Sequence, residues 1–231
     1  MSALSSAEWT ALALSVKVGL WSVAGVLPLA FALAYVLARG RFPGKALLDA
    51  VVHLPLVLPP VVTGFALLLA FGRTGWAGIL LDRVFGSTVL FRWTGAAVAA
   101  AIMALPLVVR AMRLSIEAVD RRLETAARTL GASRWRVFAT ITLPLSLPGV
   151  IAGAVLGFAR SVGEFGATIT FVSNIPGETQ TLPLLINSLL QVPGGEAAAL
   201  RLSGVAVALS LAALLVSDRL ARAAGRGAAG V

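Results

Sequence analysis

The sequence predicts an all-α integral membrane protein with about five transmembrane helices. Of its 231 residues, 58% are apolar and only 13% are charged, whereas a soluble domain carries about 25% charged residues. Several stretches without charge approach the roughly 20 residues that a helix needs to cross a bilayer. The basic residues fall mainly between these stretches. These three observations favour a single membrane domain over residues 1–231.

The candidate spans are defined by the charges that bound them. They cover residues 18–38, 50–72, 93–115, 147–172 and 202–220. The second span contains Pro59 and Pro60, and because proline removes a backbone donor and bends a helix, we expect this span to be broken, as in spans that line transporter cavities. A further uncharged run, residues 179–195, is interrupted by two prolines. It is predicted to be a partly helical external segment, with a re-entrant segment as the alternative.

Basic residues predict the orientation, because Lys and Arg are retained in cytoplasmic loops. With five spans, thirteen of the nineteen basic residues fall on one side and five on the other, with Arg160 inside the fourth span. This places the N-terminus outside and the C-terminus in the cytoplasm. Since no basic residue precedes the first apolar run, we expect the first span to be its own insertion signal. The thirteen are Arg39, Arg41, Lys45, Arg110, Arg113, Arg121, Arg122, Arg128, Arg134, Arg136, Arg219, Arg222 and Arg226.

Several function classes are disfavoured by what the sequence lacks. It has no cysteine, one histidine and no Gly-x-x-x-x-Gly-Lys-Ser/Thr phosphate loop, so we expect no catalytic site, no metal and no cofactor bound by this chain. The spans exclude a nucleic-acid binder. An intramembrane hydrolase would need a Ser/His or paired-Asp site, and a secondary transporter would need internal duplication or a chain of ionisable groups. A secondary transporter remains the less favoured alternative.

The predicted cytoplasmic segment 117–144 is longer than a simple connection requires. Its first part predicts a short helix with a narrow apolar stripe, and Gly131 is suited to the left-handed conformation that ends a helix. The stripe consists of Leu123, Ala126, Ala127 and Leu130. The segment is predicted either to dock on a partner or to lie on anionic lipid as an amphipathic hairpin.

The second part of this segment predicts another short helix. Ser133 can cap its start, and Trp135, Phe138 and Ile141 are expected to face the membrane. Leu143-Pro144 is then expected to turn the chain into the fourth span.

The stretch ETAARTLG at 124–131, followed by ITLP at 141–144, resembles the EAA loop of bacterial ABC-importer permeases. That pattern is Glu-Ala-Ala, three residues, Gly, nine residues, Ile, one residue, Leu-Pro. Thr125 departs from it, because the glutamate stands one position earlier. The resemblance implies a coupling helix in a cleft of a separate ATPase subunit. The residues assigned to this coupling are Glu124, Thr125, Ala126, Ala127, Leu130, Gly131, Ile141, Leu143 and Pro144.

Within that family, residues 42–60, 128–138 and 158–180 are similar to molybdate permeases. The resemblance implies a subunit of the bacterial cytoplasmic (inner) membrane that imports molybdate by alternating access, with tungstate or sulfate as alternative anions. It implies a molybdate-binding protein at the outer face, and ATP and Mg on the ATPase partner. Five helices are too few to enclose a pathway, so a homodimer is expected.

Arg160 and Glu164 lie within the fourth span, four residues apart, so they share a helix face and can pair. One hypothesis is that Arg160 attracts the anion in the pathway while Glu164 limits how tightly it binds. The alternative is a structural ion pair, which lowers the cost of charges in a membrane. Gly163 and Gly166 flank the glutamate and permit close helix packing. Together with Pro59 and Pro60, these residues form the predicted pathway or gate.

Overall fold

The structure, a computed structural model, describes residues 4–228. The first and last three residues of the predicted domain 1–231 lie outside this range, and the side chains of Arg222 and Arg226 are also outside what the structure describes. The described residues form eleven α-helices and one π-helical turn, without a strand. Four helical segments are long and apolar enough to cross a membrane, and a bent helix pair makes a fifth candidate. The predicted fold class is therefore confirmed.

The helices follow one another with short connections. The first six are α1 (Ser6–Arg39), α2 (Lys45–Val57), α3 (Pro60–Phe71), α4 (Trp76–Phe85), α5 (Trp93–Ala118) and α6 (Arg121–Thr129). The last five are α7 (Arg134–Val137), α8 (Leu143–Val162), α9 (Gly166–Val172), α10 (Leu182–Leu190) and α11 (Glu196–Ala228), with the π-helical turn Phe138–Thr142 between α7 and α8. The outer spans begin earlier than their charge-free cores, since α1 starts at Ser6 rather than at residue 18 and α11 at Glu196 rather than at residue 202.

Helix α5 is the centre of the fold. Its most apolar window is 61% buried, against 28% for α1 and 11% for α11. Helix α8 approaches it through glycines: a Cβ on Gly149 would overlap the Cβ of Ser115, and a Cβ on Gly157 would lie 2.8 Å from Cγ2 of Val108. Small residues let helix backbones approach closely where the bilayer gives no hydrophobic drive for association. Close packing of α8 on α5 therefore holds the bundle together.

The second span is broken, as its prolines predict. Helix α2 ends at Val57, α3 starts with Pro60 at its first position, and the two helix axes differ by 112°. Proline suits the first position of a helix, where the missing N–H costs nothing. Residues 50–72 are thus two half-helices rather than one straight span, and the first half extends back to Lys45.

The fourth span also differs from expectation. It breaks at residues 163–165, so α8 and α9 are separate helices. At its start, the expected turn at Leu143-Pro144 does not form, because α7 continues through the π-helical turn directly into α8 and gives one apolar segment from Arg134 to Val162. Pro144 lacks an N–H, and the wider turn before it, in which Leu143 N donates to Phe138 O, accommodates it without breaking the helix.

The 179–195 segment is partly helical, as predicted, and forms α10. Leu182, Leu184 and Leu185 are buried, and Ser15 Oγ of α1 accepts a hydrogen bond from Leu182 N at 2.6 Å. Helix α6 lies at the other end of α1, near Arg39. Ser15 and Arg39 are separated by about 36 Å along the helix axis at 1.5 Å per residue, which exceeds the roughly 30 Å of a hydrocarbon core. Helices α6 and α10 therefore lie at opposite faces of the membrane.

We expect Gly149→Ala to destabilise the bundle, because its methyl group would push α8 away from Ser115. Overpacking of this kind costs about 1–3 kcal/mol, which corresponds to a fall of at least roughly 2–4 °C in Tm for a chain of this size. The measurement is thermal unfolding in detergent. Gly204→Ala on α11 is the control, since a Cβ there would meet no atom of another described helix within 4 Å. Equal Tm values for the two variants would contradict the packing role of Gly149.

Candidate functional site

Helix α6 has sharply defined ends. The side chain of Asp120 accepts a hydrogen bond from Arg122 N at 2.8 Å and caps its start. At the other end, Gly131 has φ +88, and Ala132 N donates to Ala127 O at 3.0 Å. This is the geometry of a helix ended by a left-handed glycine. The predicted role of Gly131 as a helix stop is confirmed.

The apolar stripe of α6 faces away from the rest of the chain. Leu123 is 49% exposed and Leu130 is 89% exposed, while Ala126 is exposed and Ala127 is half-buried. A short amphipathic helix normally buries its apolar residues against its own domain. Because α6 does not, its leucines are available to a partner.

Glu124 ties α6 to the membrane helices. Its Oε1 accepts hydrogen bonds from Arg39 Nη2 at 2.9 Å and from Thr142 Oγ1 at 2.8 Å. Arg39 also donates to the carbonyl oxygen of Val119 at 3.1 Å. By contrast, Thr125 is exposed and its hydroxyl donates only within α6, to Arg121 O at 3.0 Å. The glutamate displaced by one position is therefore an internal anchor.

The second part of the loop packs through Phe138. Its ring centroid lies 5.4 Å from that of Tyr35, 5.9 Å from that of Phe31 and 5.2 Å from that of Trp135. Ser133 caps α7 by accepting a hydrogen bond from Arg136 N at 3.3 Å. Trp135 is 74% exposed. The second part of the loop therefore packs against the end of α1.

The last three residues of the sequence pattern belong to the helix that leads into the fourth span rather than to α6. They are Ile141, Leu143 and Pro144. Ile141 is half-buried, and Leu143 and Pro144 are exposed. The sequence pattern that joins these residues to the loop therefore covers two separate helices.

Arg160 and Glu164 meet at the break between α8 and α9. Arg160 Nη1 lies 2.6 Å from Glu164 Oε2, and the glutamate side chain is only 2% exposed. The other carboxylate oxygen accepts a hydrogen bond from Ala167 N at 2.9 Å, in the first turn of α9. Glu164 therefore has a structural role, since it joins α8 to α9 while its charge is paired. Arg160 keeps 27% of its side chain exposed.

The two broken helices pack on each other. A Cβ on Gly166 would lie 2.7 Å from Cβ of Pro60, and a Cβ on Gly64 would lie 2.6 Å from the carbonyl oxygen of Ala167. Gly166 is thus required for close packing of α9 on α3. Pro59 and Gly163 are exposed, and a Cβ on Gly163 would meet only carbonyl oxygens of its own helix among the described residues.

A second polar cluster lies between α2 and α5. Arg113 pairs with Asp49 and Glu117, each at 2.9 Å, and His53 Nδ1 donates to the carbonyl oxygen of Asp49 at 2.8 Å. Within residues 4–228, no three His, Asp or Glu side chains are grouped as metal ligands.

Residues 27–226 match the family described as binding-protein-dependent transport system inner membrane components. The chain belongs to this family. The molybdenum transport system permease protein ModB of Escherichia coli (strain K12) is 59% identical over 219 residues, which are 95% of this chain and 96% of that protein. The sulfate transport system permease protein CysT of the same strain is 40% identical over 84% of this chain and 69% of its own length. The predicted resemblance to importer permeases is confirmed.

The permease also shares its fold with a bacterial ABC transporter involved in the import of the acidic polysaccharide alginate. The TM-score is 0.74 at 19% identity, over 95% of this chain and 80% of that chain. At this identity the likeness concerns the fold alone. It agrees with the all-α bundle and with a multi-pass inner membrane protein.

Two residues that hold α6 of the permease through Glu124 have no evident signal in the sequence. Arg39 lies 85 residues before Glu124 in the chain and Thr142 lies 18 residues after it. The sequence indicates only that Arg39 is a charge in a cytoplasmic loop. A threonine in a membrane helix gives no signal by itself. An arginine at the last position of a span could have prompted a search for an acidic partner.

We expect Glu124→Ala to loosen α6 in the permease. Hydrogen bonds to a charged group contribute about 1.5–3 kcal/mol, so amide exchange in residues 121–130 should accelerate roughly tenfold or more. Hydrogen–deuterium exchange with mass spectrometry measures this. Thr125→Ala is the control, because the hydroxyl of Thr125 bonds only within α6.

Arg39→Ala should accelerate exchange in α6 as well, and the double variant should add little to either single change, since the two side chains share one interaction. Additive effects in the double variant would show that Glu124 and Arg39 act separately.

Proposed function

We propose that this chain is the permease subunit of an ATP-driven importer that carries molybdate across the cytoplasmic membrane. The observation that supports molybdate as the substrate is the 59% identity with a molybdenum transport permease over almost the whole of both chains. The relative named for sulfate transport is more distant, at 40% identity. Molybdate and sulfate are both tetrahedral dianions, so the chemistry of the pathway is shared and selectivity is a matter of degree.

Helix α6 is the proposed contact with the ATPase. It has the two properties that a coupling element requires: it is fixed to the spans through Glu124, and Leu123 and Leu130 remain exposed. Ala126 and Ala127 lie between the two leucines and are small enough to let the partner's backbone approach. Thr125 is exposed, where it would also be available to that subunit.

We place α6 in the cytoplasm and the N-terminus outside. The basic residues beside α6 support this orientation, and α10 then lies at the outer face, where a molybdate-binding protein would dock. The ATPase subunit carries ATP and Mg, because this chain has no phosphate loop. A second copy of the chain completes the pathway along a two-fold axis.

The proposed pathway wall is the place where the two broken spans meet. Discontinuous helices of this kind form substrate sites in many transporters. Arg160 keeps part of its side chain exposed at this junction, and Pro59 and Gly163 are exposed beside it. Alternating access would then open and close this junction when the ATPase moves α6.

The decisive experiment measures ATP hydrolysis by the chain reconstituted in liposomes with its ATPase and binding protein. Molybdate, tungstate and sulfate are titrated separately. We expect stimulation by molybdate at concentrations where sulfate has no effect. Stimulation by sulfate alone would retain the importer and overturn the substrate. No stimulation by any of the three anions would overturn the proposed oxyanion transport.

Leu130→Ser tests the ATPase contact. A buried leucine contributes about 1.5–3 kcal/mol, so the ATPase should bind roughly 10- to 100-fold more weakly. Affinity is measured by co-purification in mild detergent over a range of ATPase concentrations. Leu190→Ser is the matched control, because Leu190 is 62% exposed and lies on α10 at the opposite face. Full retention of the ATPase by Leu130→Ser would contradict the assignment of α6.

A further inference from the structure

A crevice of mixed character lies between the end of α1 and the start of α7. Its apolar half has a volume of about 520 Å³ and is lined by Pro28, Phe31, Ala32, Trp135 and Phe138. Tyr35 and Arg134 also line this half. We call it the α1–α7 crevice. The proposed transport mechanism assigns no role to this cavity.

The crevice continues into a polar half of about 290 Å³. The two halves share Tyr35, Arg134 and Phe138, and the polar half adds Arg121 and Arg128 from α6. Glu124 borders it as well. The two halves are therefore adjacent, and their lining changes from aromatic in one to cationic in the other.

The positive charge of the polar half is not neutralised within the described part of the chain. The carboxylate of Glu124 is already engaged by Arg39 and Thr142. Arg121 donates a long hydrogen bond, 3.5 Å, to the carbonyl oxygen of Ala38. Among residues 4–228, neither Arg128 nor Arg134 has a carboxylate within ion-pair distance. Three arginines thus face a cavity whose only acid is paired elsewhere.

The two halves lie at different depths of the bilayer. Tyr35 is one turn from the end of α1, and Pro28 lies about 10 Å deeper along the helix axis. Tyrosine is typical of the membrane interface, and Tyr35 lies where the two halves meet. The cationic half is therefore at headgroup level and the aromatic half is in the hydrocarbon.

We propose that the α1–α7 crevice binds one anionic phospholipid, with its phosphate among Arg121, Arg128 and Arg134 and an acyl chain along Phe31 and Trp135. An amphiphile is the ligand whose charge and apolarity match both halves in this order. Arg121 and Arg128 lie about 100° or more around α6 from every residue of the Leu123 to Leu130 stripe, at 3.6 residues per turn. Lipid and ATPase would thus occupy different faces of α6, and the lipid would brace the helix that the ATPase moves.

The test is native mass spectrometry of the full chain extracted from vesicles of equal parts phosphatidylglycerol and phosphatidylcholine. The wild type should retain phosphatidylglycerol in preference to phosphatidylcholine. In the double variant Arg128→Gln/Arg134→Gln, the fraction of protein that retains phosphatidylglycerol should fall roughly tenfold or more. Two basic residues at an anionic headgroup are removed in this variant. Trp135→Ala should weaken retention of the same lipid through the acyl chain.

Arg41→Gln is the matched control, because Arg41 is exposed at the same end of α1 but does not line the crevice. It should retain phosphatidylglycerol like the wild type. Equal loss in Arg41→Gln would indicate diffuse surface charge and overturn the site, as would equal retention of the two lipids by the wild type. If the double variant keeps its lipid but loses the ATPase, the arginines contact that subunit and the proposal is wrong. None of these readouts depends on the transported anion.

Discussion

In a bilayer, a break in a helix leaves backbone groups that no water can satisfy, and this constraint governs the structure. The chain breaks two of its spans, at Pro59 and at residues 163–165. At the second break, Glu164 satisfies a freed backbone group from within the protein. Glu164 accepts a hydrogen bond from Ala167 N while Arg160 balances its charge. The two half-helices α3 and α9 then pack on each other through glycines, so irregular backbone is confined to one junction.

The junction between the two broken spans explains why a buried carboxylate and a break in a membrane helix occur together. A buried carboxylate is unfavourable in a membrane unless it is paired and hydrogen-bonded. Glu164 meets both conditions, and in doing so it fixes the start of α9, which in turn receives Pro60 against Gly166. A charged pair that serves only to attract an anion would not also need to hold a helix start. The ion pair is therefore part of the scaffold that joins α8 to α9.

Local chemistry was readable from the sequence, and long-range pairing was not. Proline at Pro60 fixes its own backbone and glycine at Gly131 permits a left-handed one, so the broken span and the helix stop could be predicted. The expected turn at Leu143-Pro144 failed because a π-helical turn accommodates a proline without breaking the helix, and no local signal distinguishes the two outcomes. The partnership of Arg39 with Glu124 spans 85 residues and depends on how α1 and α6 meet in space. Tertiary contacts of this kind have no periodic pattern to predict them.

The proposed coupling role of α6 requires that this helix be firmly attached to the membrane helices. A helix of nine residues is marginal on its own, and if it were loosely attached, a push on its apolar stripe would be lost in local unfolding. Glu124 connects it to the end of α1 through Arg39 and to the base of α8 through Thr142, and Phe138 packs the same base of α8 on α1. Helix α8 packs tightly on α5 and ends at the junction with α9. Under the proposed coupling, a displacement of α6 reaches the broken spans through α8, which packs closely on α5.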